Sequence, residues 1–314
     1  MTDTEALLRR LQPLIRSRDG EDAVAIVERQ PTGRVTYHAT EVIAVRCASD
    51  RTLRLLLKYD AGTSTLAAGL TTGAAYEALV YERVLTPLGV AAPACYGTWH
   101  DAETGATVLV RAYLDGSRLP FSKEELFPRA AAWVGRVHAL AQPTVASQRL
   151  NGLNTYTTEV YQYWAARTRA FERRTQAGRA WLSGVIDRLD PVFARLLAAP
   201  QTVIHGDFYT DNMVYRDGRL AVFDWEEAAI APGEIDLATL TYDWHDEVTQ
   251  ASKDAYCSAR WPEGAPAGFD DTFEAARIFM YLRLLGEGRG WPNRSKRRWR
   301  VELLRRSAER LGLL

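Results

Sequence analysis

Two short apolar runs, each followed by polar residues, constrain this chain more than any other feature. The first run leads into His205-Gly206-Asp207, with Asn212 five positions after Asp207, and the second run ends at Asp224. Apolar runs of this length, bounded by turn-forming residues, are typical of buried strands. The pattern predicts a strand, a polar loop and a following hairpin that together bring two carboxylates and one amide to one site.

Phosphoryl transfer requires this set of side chains. One carboxylate orients the attacking hydroxyl and accepts its proton, while an amide and a second carboxylate hold the magnesium ion that bridges the nucleotide phosphates. Mg²⁺ prefers hard oxygen ligands and keeps several waters, so it needs few protein ligands. We therefore predict Asp207 as the base and Asn212 and Asp224 as metal ligands. A hairpin with a polar tip is the alternative, because Asp and Asn are common in turns.

The composition limits the class of protein but not its activity. Apolar residues make up 47% and charged residues 25% of the chain, as in ordinary globular proteins, and the formal net charge of +0 favours no nucleic-acid partner. No run approaches the roughly 18 apolar residues of a membrane span, and the acidic start is unlike a signal peptide. Cys47, Cys95 and Cys257 fit neither a disulfide framework nor a zinc site. We expect a cytoplasmic protein with no membrane partner.

The chain changes character near residue 115, from strand-rich to helical. Strand patterns cover 23–28, 34–46, 52–59, 94–99 and 107–113, and helical patterns in the same part cover 5–18 and 77–88. Later helical patterns cover 122–140, 156–199, 235–249, 270–286 and 296–313, with two short strands within 202–223. We predict an α+β fold with a small nucleotide-binding lobe over 1–114 and a helical catalytic and acceptor-binding lobe over 115–314.

Lys58 ends an apolar strand, where an ammonium group is suited to meet an anion. In two-lobed kinases a strand lysine contacts the α- and β-phosphates and is held by a helix glutamate. We choose Glu77 over Glu82 as that partner, because the apolar stripe of the predicted helix lies beside Glu77. A lysine that protects an exposed sheet edge is the alternative. No Gly-x-Gly-x-x-Gly precedes Lys58, so the turn Pro31-Thr32-Gly33 is either a phosphate-binding loop or a plain hairpin turn.

Several of these motifs resemble those of the aminoglycoside phosphotransferase and choline kinase-like superfamily. The resemblance is carried by His205-Gly206-Asp207 with Asn212, by Asp224-Trp225-Glu226, and by Pro232 followed by Asp236-Leu237-Ala238. It implies a protein-kinase-like two-lobed fold, with a β-rich N-terminal lobe, a mostly helical C-terminal lobe and the nucleotide between them.

The resemblance also implies roles for individual residues. Asp207 would be the catalytic base, Asn212 and Asp224 the magnesium ligands, and Lys58 with Glu77 the phosphate-binding pair. A hinge at about 108–114 would meet the adenine through its main chain, at Val110, Arg111, Ala112 and Tyr113. The implied cofactors are ATP and Mg²⁺, and GTP stays open because main-chain contacts do not select the purine.

Departures from the protein kinases indicate a small acceptor. Gly206 stands where a protein kinase has Arg, and Asp224-Trp225-Glu226 replaces Asp-Phe-Gly. The stretch between Asp224 and Asp236 is too short for a regulated activation loop. Helical insertions in the second lobe suit a pocket for a small molecule rather than a peptide groove.

The acceptor is constrained less than the reaction. An antibiotic or related natural product is the leading class, and a cationic one would need carboxylates. The candidates are Glu226, Glu227, Asp243, Asp246 and Glu247. Asp243, Asp246 and Glu247 would share one helix face, with a solvated acidic surface as the alternative. A choline-, homoserine- or sugar-type metabolite kinase and a non-catalytic pseudokinase remain the other hypotheses. A monomer or a homodimer, and a role for the basic run 294–300, are left open.

Overall fold

The computed structural model describes residues 3–32, 38–62, 67–118, 123–147, 150–175, 180–287 and 294–314. The described residues fall into two compact units. The first unit is drawn from 1–65, 71–118 and 213–227, and the second from 66–70, 119–212 and 228–314. The turn expected at Pro31-Thr32-Gly33 extends outside the described residues, and the lobe boundary at residue 114 stays a prediction.

The first unit is built on a five-stranded antiparallel sheet in the order β1-β2-β3-β5-β4. Its strands are β1 (Ala23–Pro31), β2 (Ala39–Cys47), β3 (Thr52–Asp60), β4 (Cys95–His100) and β5 (Thr107–Ala112), and helix α1 (Thr4–Asp19) precedes them. Alternate residues of the central strands meet one face of α1, because side chains along a strand alternate between its two faces. The resulting core comprises Leu7, Leu11, Ile15, Ile43, Val45, Leu55, Leu57, Val108 and Val110.

The helix predicted over 77–88 is shorter and less regular than expected. Helix α2 spans Ala74–Val80, and one wider turn of π geometry follows over Tyr81–Leu85. The helix begins earlier because Gly73, at φ +97°, turns the chain and leaves the Ala74 amide to donate to Asp60 Oδ2 at 2.9 Å. Such a carboxylate satisfies one of the free amides at a helix start.

A second small sheet of the first unit carries Asp224. Strands β9 (Met213–Arg216) and β10 (Arg219–Val222) form a hairpin, and β6 (Ser117–Arg118) pairs with β9. The two-residue turn is Asp217-Gly218, with φ of +50° and +78°. This left-handed pair is the turn that suits the twist of a tight hairpin, and it fixes the register that ends at Val222.

The second unit is mainly helical, as predicted. Its helices are α3 (Leu126–Ala146), α4 (Thr158–Thr175), α5 (Ala180–Ile186), α6 (Asp190–Ala198), α7 (Glu234–Leu240), α8 (Asp246–Arg260), α9 (Phe269–Glu287) and α10 (Arg294–Arg310). A small sheet in the order β7-β11-β8 joins β7 (Asn154–Thr155), β11 (Ala229–Pro232) and β8 (Gln201–Ile204). Within the described residues, no helix combines the length and apolar character that crossing a bilayer requires.

The single helix predicted over 235–249 is wrong. Helix α7 ends at Leu240 and α8 begins at Asp246, with His245 in extended conformation between them. Asp246 and Glu247 lie in the first turn of α8, where negative charge is favoured by the helix dipole. Asp243 lies in the connection, so Asp243, Asp246 and Glu247 do not share one helix face.

Candidate active site

Lys58 lies at the centre of a carboxylate cluster in the first unit. Its Nζ is 2.9 Å from Glu77 Oε2, 2.6 Å from Asp224 Oδ1 and 2.8 Å from Glu226 Oε2. The lysine is buried on β3, and the Glu77 side chain is 0% exposed. The structure therefore brings Lys58 to Glu77, the helix glutamate chosen over Glu82, and adds two carboxylates that follow β10.

Neighbouring carboxylates raise the pKa values of Lys58 and His38 in this cluster. Burial lowers the pKa of the Lys58 ammonium, but the three surrounding carboxylates raise it more, so its pKa lies above the ordinary value. His38 donates from Nε2 to Glu226 Oε2 at 3.0 Å, and its Nδ1 is 3.7 Å from Asp60 Oδ1. The hydrogen bond to Glu226 raises the pKa of His38 despite the burial of the ring. Three carboxylates thus surround one lysine, with a histidine beside them.

Asp60 links the end of β3 to the start of α2. One carboxylate oxygen accepts from the Ala74 amide, and the other accepts from the Gly62 amide at 3.2 Å. A Cβ on Gly73 would lie 2.1 Å from Asp60 Oδ2, so this approach requires glycine. Because Glu77 lies one turn into α2, this anchor sets the position of Glu77 relative to the strand that carries Lys58.

Asp224 has a left-handed backbone, with φ +70°. A non-glycine residue in this conformation costs energy, and such residues are concentrated at functional sites. The next residue, Trp225, is fully buried and donates from its indole nitrogen to the Val222 carbonyl at 3.2 Å. This buried anchor holds the turn after β10, while the Asp224 side chain stays 35% exposed.

The loop after β8 joins Asp207 to Asn212 in the second unit. Asn212 Nδ2 donates to Asp207 Oδ2 at 2.8 Å and to the Asp207 carbonyl at 2.9 Å. The Asp207 amide in turn donates to His205 Nδ1 at 3.2 Å. These bonds fix a half-buried carboxylate at the start of the loop and an amide at its end, which is the arrangement expected from the spacing.

Buried side chains support this loop from both sides. Asp236, at the start of α7, accepts from the His205 amide at 2.7 Å and the Gly206 amide at 3.0 Å. Arg283 on α9 donates to the Gly206 carbonyl at 2.6 Å. The fully buried Phe208 stacks on Trp133 of α3, with ring centroids 6.2 Å apart. Asp236 thus supports the main chain of the loop.

The residues proposed for magnesium have suitable donor atoms. Asn212 uses its amide nitrogen for Asp207, which leaves its Oδ1 as the atom for a metal, and Asp224 supplies a partly exposed carboxylate. Hard oxygen donors of this kind fit Mg²⁺. Carboxylate oxygens of Glu77, Asp224 and Glu226 also lie within 4.8 Å of one another, so the first unit offers negative charge for a cation. Asn212 and Asp224 belong to different units, and their shared metal stays a prediction.

The predicted hinge residues lie at the end of β5. Val110 pairs with Leu57 on β3, and Arg111 pairs with Leu56. The Ala112 amide donates to the Ala94 carbonyl at 2.7 Å, and the Tyr113 amide donates to the Arg54 carbonyl at 2.9 Å. The Arg111 guanidinium lies 4.9 Å from the centre of the Phe223 ring. This packing role was not visible in the sequence, and the adenine contact of the segment stays a prediction.

The five acidic acceptor candidates are not brought together as a group. Glu226 lies in the lysine cluster, and Glu227 follows it in the same unit. Asp243 is 3.9 Å from Arg300, and the exposed Asp246 is 3.7 Å from Arg310. Glu247 is exposed in the first turn of α8. Their proposed acceptor role stays a prediction.

Sequence reasoning missed His38 and Asp60 as members of the lysine cluster. His38 lies within the strand pattern over 34–46, which carries no functional motif, and Asp60 ends a strand where a turn residue is ordinary. Its role at the start of α2 could not be read from the sequence, because Asp60 lies 14 positions before Ala74. The contact of Glu226 with Lys58 was also not predicted, because the two residues are 168 positions apart in the chain.

Comparison with solved structures identifies the fold. A choline kinase from Cryptosporidium parvum Iowa II has a TM-score of 0.64 at 14% identity, over 99% of this chain and 98% of that chain. A spectinomycin phosphotransferase in complex with ADP and spectinomycin has a TM-score of 0.56 at 13% identity, over 98% of this chain and 98% of that chain. An amicoumacin kinase in complex with AMP-PNP, Ca²⁺ and Ami has a TM-score of 0.58 at 14% identity, over 90% of this chain and 87% of that chain. The expected protein-kinase-like α+β fold is confirmed.

Comparison of sequences identifies the family. No curated protein matches the chain. The family model of the phosphotransferase enzyme family matches residues 71–285, which is more than half of the chain. The matched stretch contains Glu77, the Asp207 loop and Asp224, and the expected superfamily is therefore confirmed. This chain belongs to the phosphotransferase enzyme family.

Proposed function

We propose that this protein is a magnesium-dependent kinase that transfers the γ-phosphoryl group of ATP to a hydroxyl group of a small molecule. An antibiotic or a related natural product is the leading acceptor class. The observation that carries the proposal is the Asp207 loop, in which the Asn212 amide fixes a half-buried carboxylate. Family membership supports the reaction, and the ADP and AMP-PNP complexes of similar structures support a nucleotide donor.

The reaction follows from the chemistry of these side chains. The Asp207 carboxylate accepts a hydrogen bond from the acceptor hydroxyl and takes its proton while the hydroxyl oxygen bonds to the γ-phosphorus. The bond from that phosphorus to the bridging oxygen breaks, and ADP leaves with the electron pair. Lys58, held by Glu77, balances charge on the α- and β-phosphates. Asn212 and Asp224 would hold a magnesium ion, which would neutralise negative charge on the nucleotide phosphates.

Nucleotide binding is expected to rearrange the contacts of Lys58. Lys58 already meets three carboxylates, so phosphate oxygens reach it by displacing the contact with Asp224 or Glu226. Asp224 would leave Lys58 when it holds a magnesium ion, and its contact with Lys58 would then be released. Glu77 is fully buried and keeps Lys58 in place during the exchange. Nucleotide and magnesium are therefore expected to bind with positive coupling.

A metabolite kinase is the second candidate. The likeness to a choline kinase has the highest TM-score of the three structures described above, although at this identity it supports the fold alone. A non-catalytic nucleotide-binding protein is the third candidate, and the complete set of Lys58, Asp207, Asn212 and Asp224 argues against it.

An acceptor panel tests the proposal. ADP release from Mg-ATP, and from Mg-GTP, is measured with aminoglycosides, macrolides, peptide and nucleoside antibiotics, choline and homoserine. We expect acceptor-dependent release that falls by several orders of magnitude in Asp207→Asn, because the base is lost while its shape is kept. Asp254→Asn, on the exposed face of α8, is the matched control and keeps full activity. Equal turnover in Asp207→Asn and wild type contradicts the mechanism.

A further inference from the structure

A buried polar network extends from α8 to the Asp207 loop within the second unit. Arg260 Nη1 donates to the Tyr256 hydroxyl oxygen at 2.6 Å, and that hydroxyl is 2.9 Å from His138 Nδ1. His138 Nε2 is 3.2 Å from Asp236 Oδ2. All four side chains are buried, and Asp236 also accepts from the His205 and Gly206 amides. A continuous set of hydrogen bonds thus connects Arg260 to the main chain beside Asp207.

The directions of these hydrogen bonds are determined by their chemistry. Burial lowers the pKa of His138, so its imidazole is neutral, with one nitrogen as donor and the other as acceptor. The Asp236 carboxylate is an acceptor, and therefore Nε2 carries the proton. Nδ1 is then the acceptor for the Tyr256 hydroxyl, whose oxygen accepts from Arg260. Each donor points towards Asp236.

Glycines make room for the network. A Cβ on Gly233 would lie 2.4 Å from both His138 Nδ1 and the Tyr256 hydroxyl, and 2.6 Å from Arg260 Nη1. A Cβ on Gly135 would lie 2.8 Å from the Tyr256 carbonyl, so α3 and α8 approach closely at this point. The interior charge of Arg260 is balanced by the buried Glu234 at 3.4 Å. Buried charges of this kind are costly unless they are paired, so the network requires its complete set of members.

We propose that Tyr256 and His138 are positioning residues for phosphoryl transfer. The Tyr256 hydroxyl holds His138 in the tautomer that donates from Nε2, and this bond fixes the Asp236 carboxylate that carries the amides ahead of Asp207. The inference rests on the proposed function, because it assigns the base role to Asp207. Neither residue touches substrate, and both act through the position of the loop.

Two substitutions separate positioning from simple packing. Tyr256→Phe removes the hydroxyl and keeps the ring, and Tyr161→Phe is its control, because Tyr161 is equally buried and its hydroxyl has no hydrogen-bond partner among the described residues. We expect kcat to fall by about 10- to 100-fold in Tyr256→Phe, the scale of a misplacement of about 1 Å, with KM for ATP unchanged. The Tyr161→Phe variant keeps wild-type kcat.

A histidine pair tests the tautomer. The amide nitrogen of Gln occupies about the place of imidazole Nε2, so His138→Gln keeps a donor to Asp236, whereas the shorter Asn in His138→Asn loses it. We expect His138→Gln to keep most of the turnover and His138→Asn to lose it. ¹⁵N spectra of histidine-labelled wild-type protein are expected to contain the resonance of an unprotonated Nδ1 that disappears in His138→Gln.

The outcomes distinguish this inference from the proposed function. Turnover that depends on Asp207 but is unchanged in Tyr256→Phe overturns the positioning role, as does an equal loss in Tyr256→Phe and Tyr161→Phe. A protonated Nδ1 on His138 overturns the tautomer and the role with it. Turnover that survives Asp207→Asn removes the proposed function and this inference together. The expected pattern is sensitivity to Asp207, Tyr256 and His138→Asn, with Tyr161→Phe unaffected.

Discussion

Replacing Lys58 by methionine tests whether the buried pair with Glu77 stabilises the first unit. The two charged atoms are 2.9 Å apart, and the side chains are 7% and 0% exposed. At an effective dielectric constant of about 20, their attraction is about 6 kcal/mol. Removing one partner of a buried pair costs about 3–5 kcal/mol, because the remaining charge stays buried. We therefore expect Lys58→Met to lower the free energy of unfolding by that amount at pH 8.

The remaining carboxylate is the source of this loss. Glu77 Oε1 already has no hydrogen-bond partner among the described residues, so Lys58→Met also removes the ammonium group beside Oε2. A buried charged group that is left without its partner carries its full desolvation cost.

Urea unfolding at pH 8 measures this loss of stability. The double variant Lys58→Met with Glu77→Met replaces the pair by apolar groups and is expected to recover much of the lost stability. Comparing the two single variants with the double variant in a double-mutant cycle gives the coupling energy of the pair. Lys253→Met is the control, because Lys253 pairs with Asp270, which is 77% exposed. Such an exposed pair contributes at most about 1 kcal/mol. A loss below that value in Lys58→Met would refute the reasoning.

Three further predictions concern the metal, the loop and the histidine. Asp224→Asn is expected to weaken the binding of magnesium–nucleotide by at least about tenfold, which is the scale for partners of a metal site, and to have little effect on nucleotide binding when EDTA is present. Calorimetric titration measures both affinities. Equal affinities of Asp224→Asn and wild type for magnesium–nucleotide would count against metal ligation. Arg283→Met removes a charged donor to the Gly206 carbonyl and is expected to cost about 1.5–3 kcal/mol in urea unfolding, and an unchanged midpoint would contradict this. Burial lowers the pKa of His138, so the folded protein resists its protonation and stability declines as the pH falls below about 6.5. His138→Gln is expected to flatten this decline, and an identical pH profile would show that another group is responsible.

The sequence predicted the parts of the fold that depend on local pattern. The apolar run before Lys58 became β3, the Asp207–Asn212 spacing became one hydrogen-bonded loop, and both follow from periodicity and turn chemistry. The helix over 235–249 failed because its periodicity continues across Thr241 while the backbone does not. Thr241 Oγ1 instead donates to the Leu237 carbonyl at 2.8 Å, where a side chain competes with the helix for backbone groups.

The buried polar networks could not be predicted, because their members are distant in the chain. His138 is 98 positions from Asp236 and 118 from Tyr256, and each residue looks ordinary on a helix. Lys58 is 166 positions from Asp224, and that contact was expected from neither residue. Such pairs are determined by packing between elements, which a single sequence does not encode as a local pattern.

The composition of the first unit has a consequence for synthesis of the protein. Strands β1 to β6 end at Arg118, but β9, β10 and Asp224 come from 213–227. At about 5–20 residues per second, translation supplies that segment roughly ten seconds after Arg118. A nascent chain in this interval has Lys58 and Glu77 but neither Asp224 nor Glu226, and the edge of β6 has no partner strand. A gene fragment that stops before residue 213 therefore encodes an incomplete unit, and the two units cannot be produced as consecutive halves of the gene.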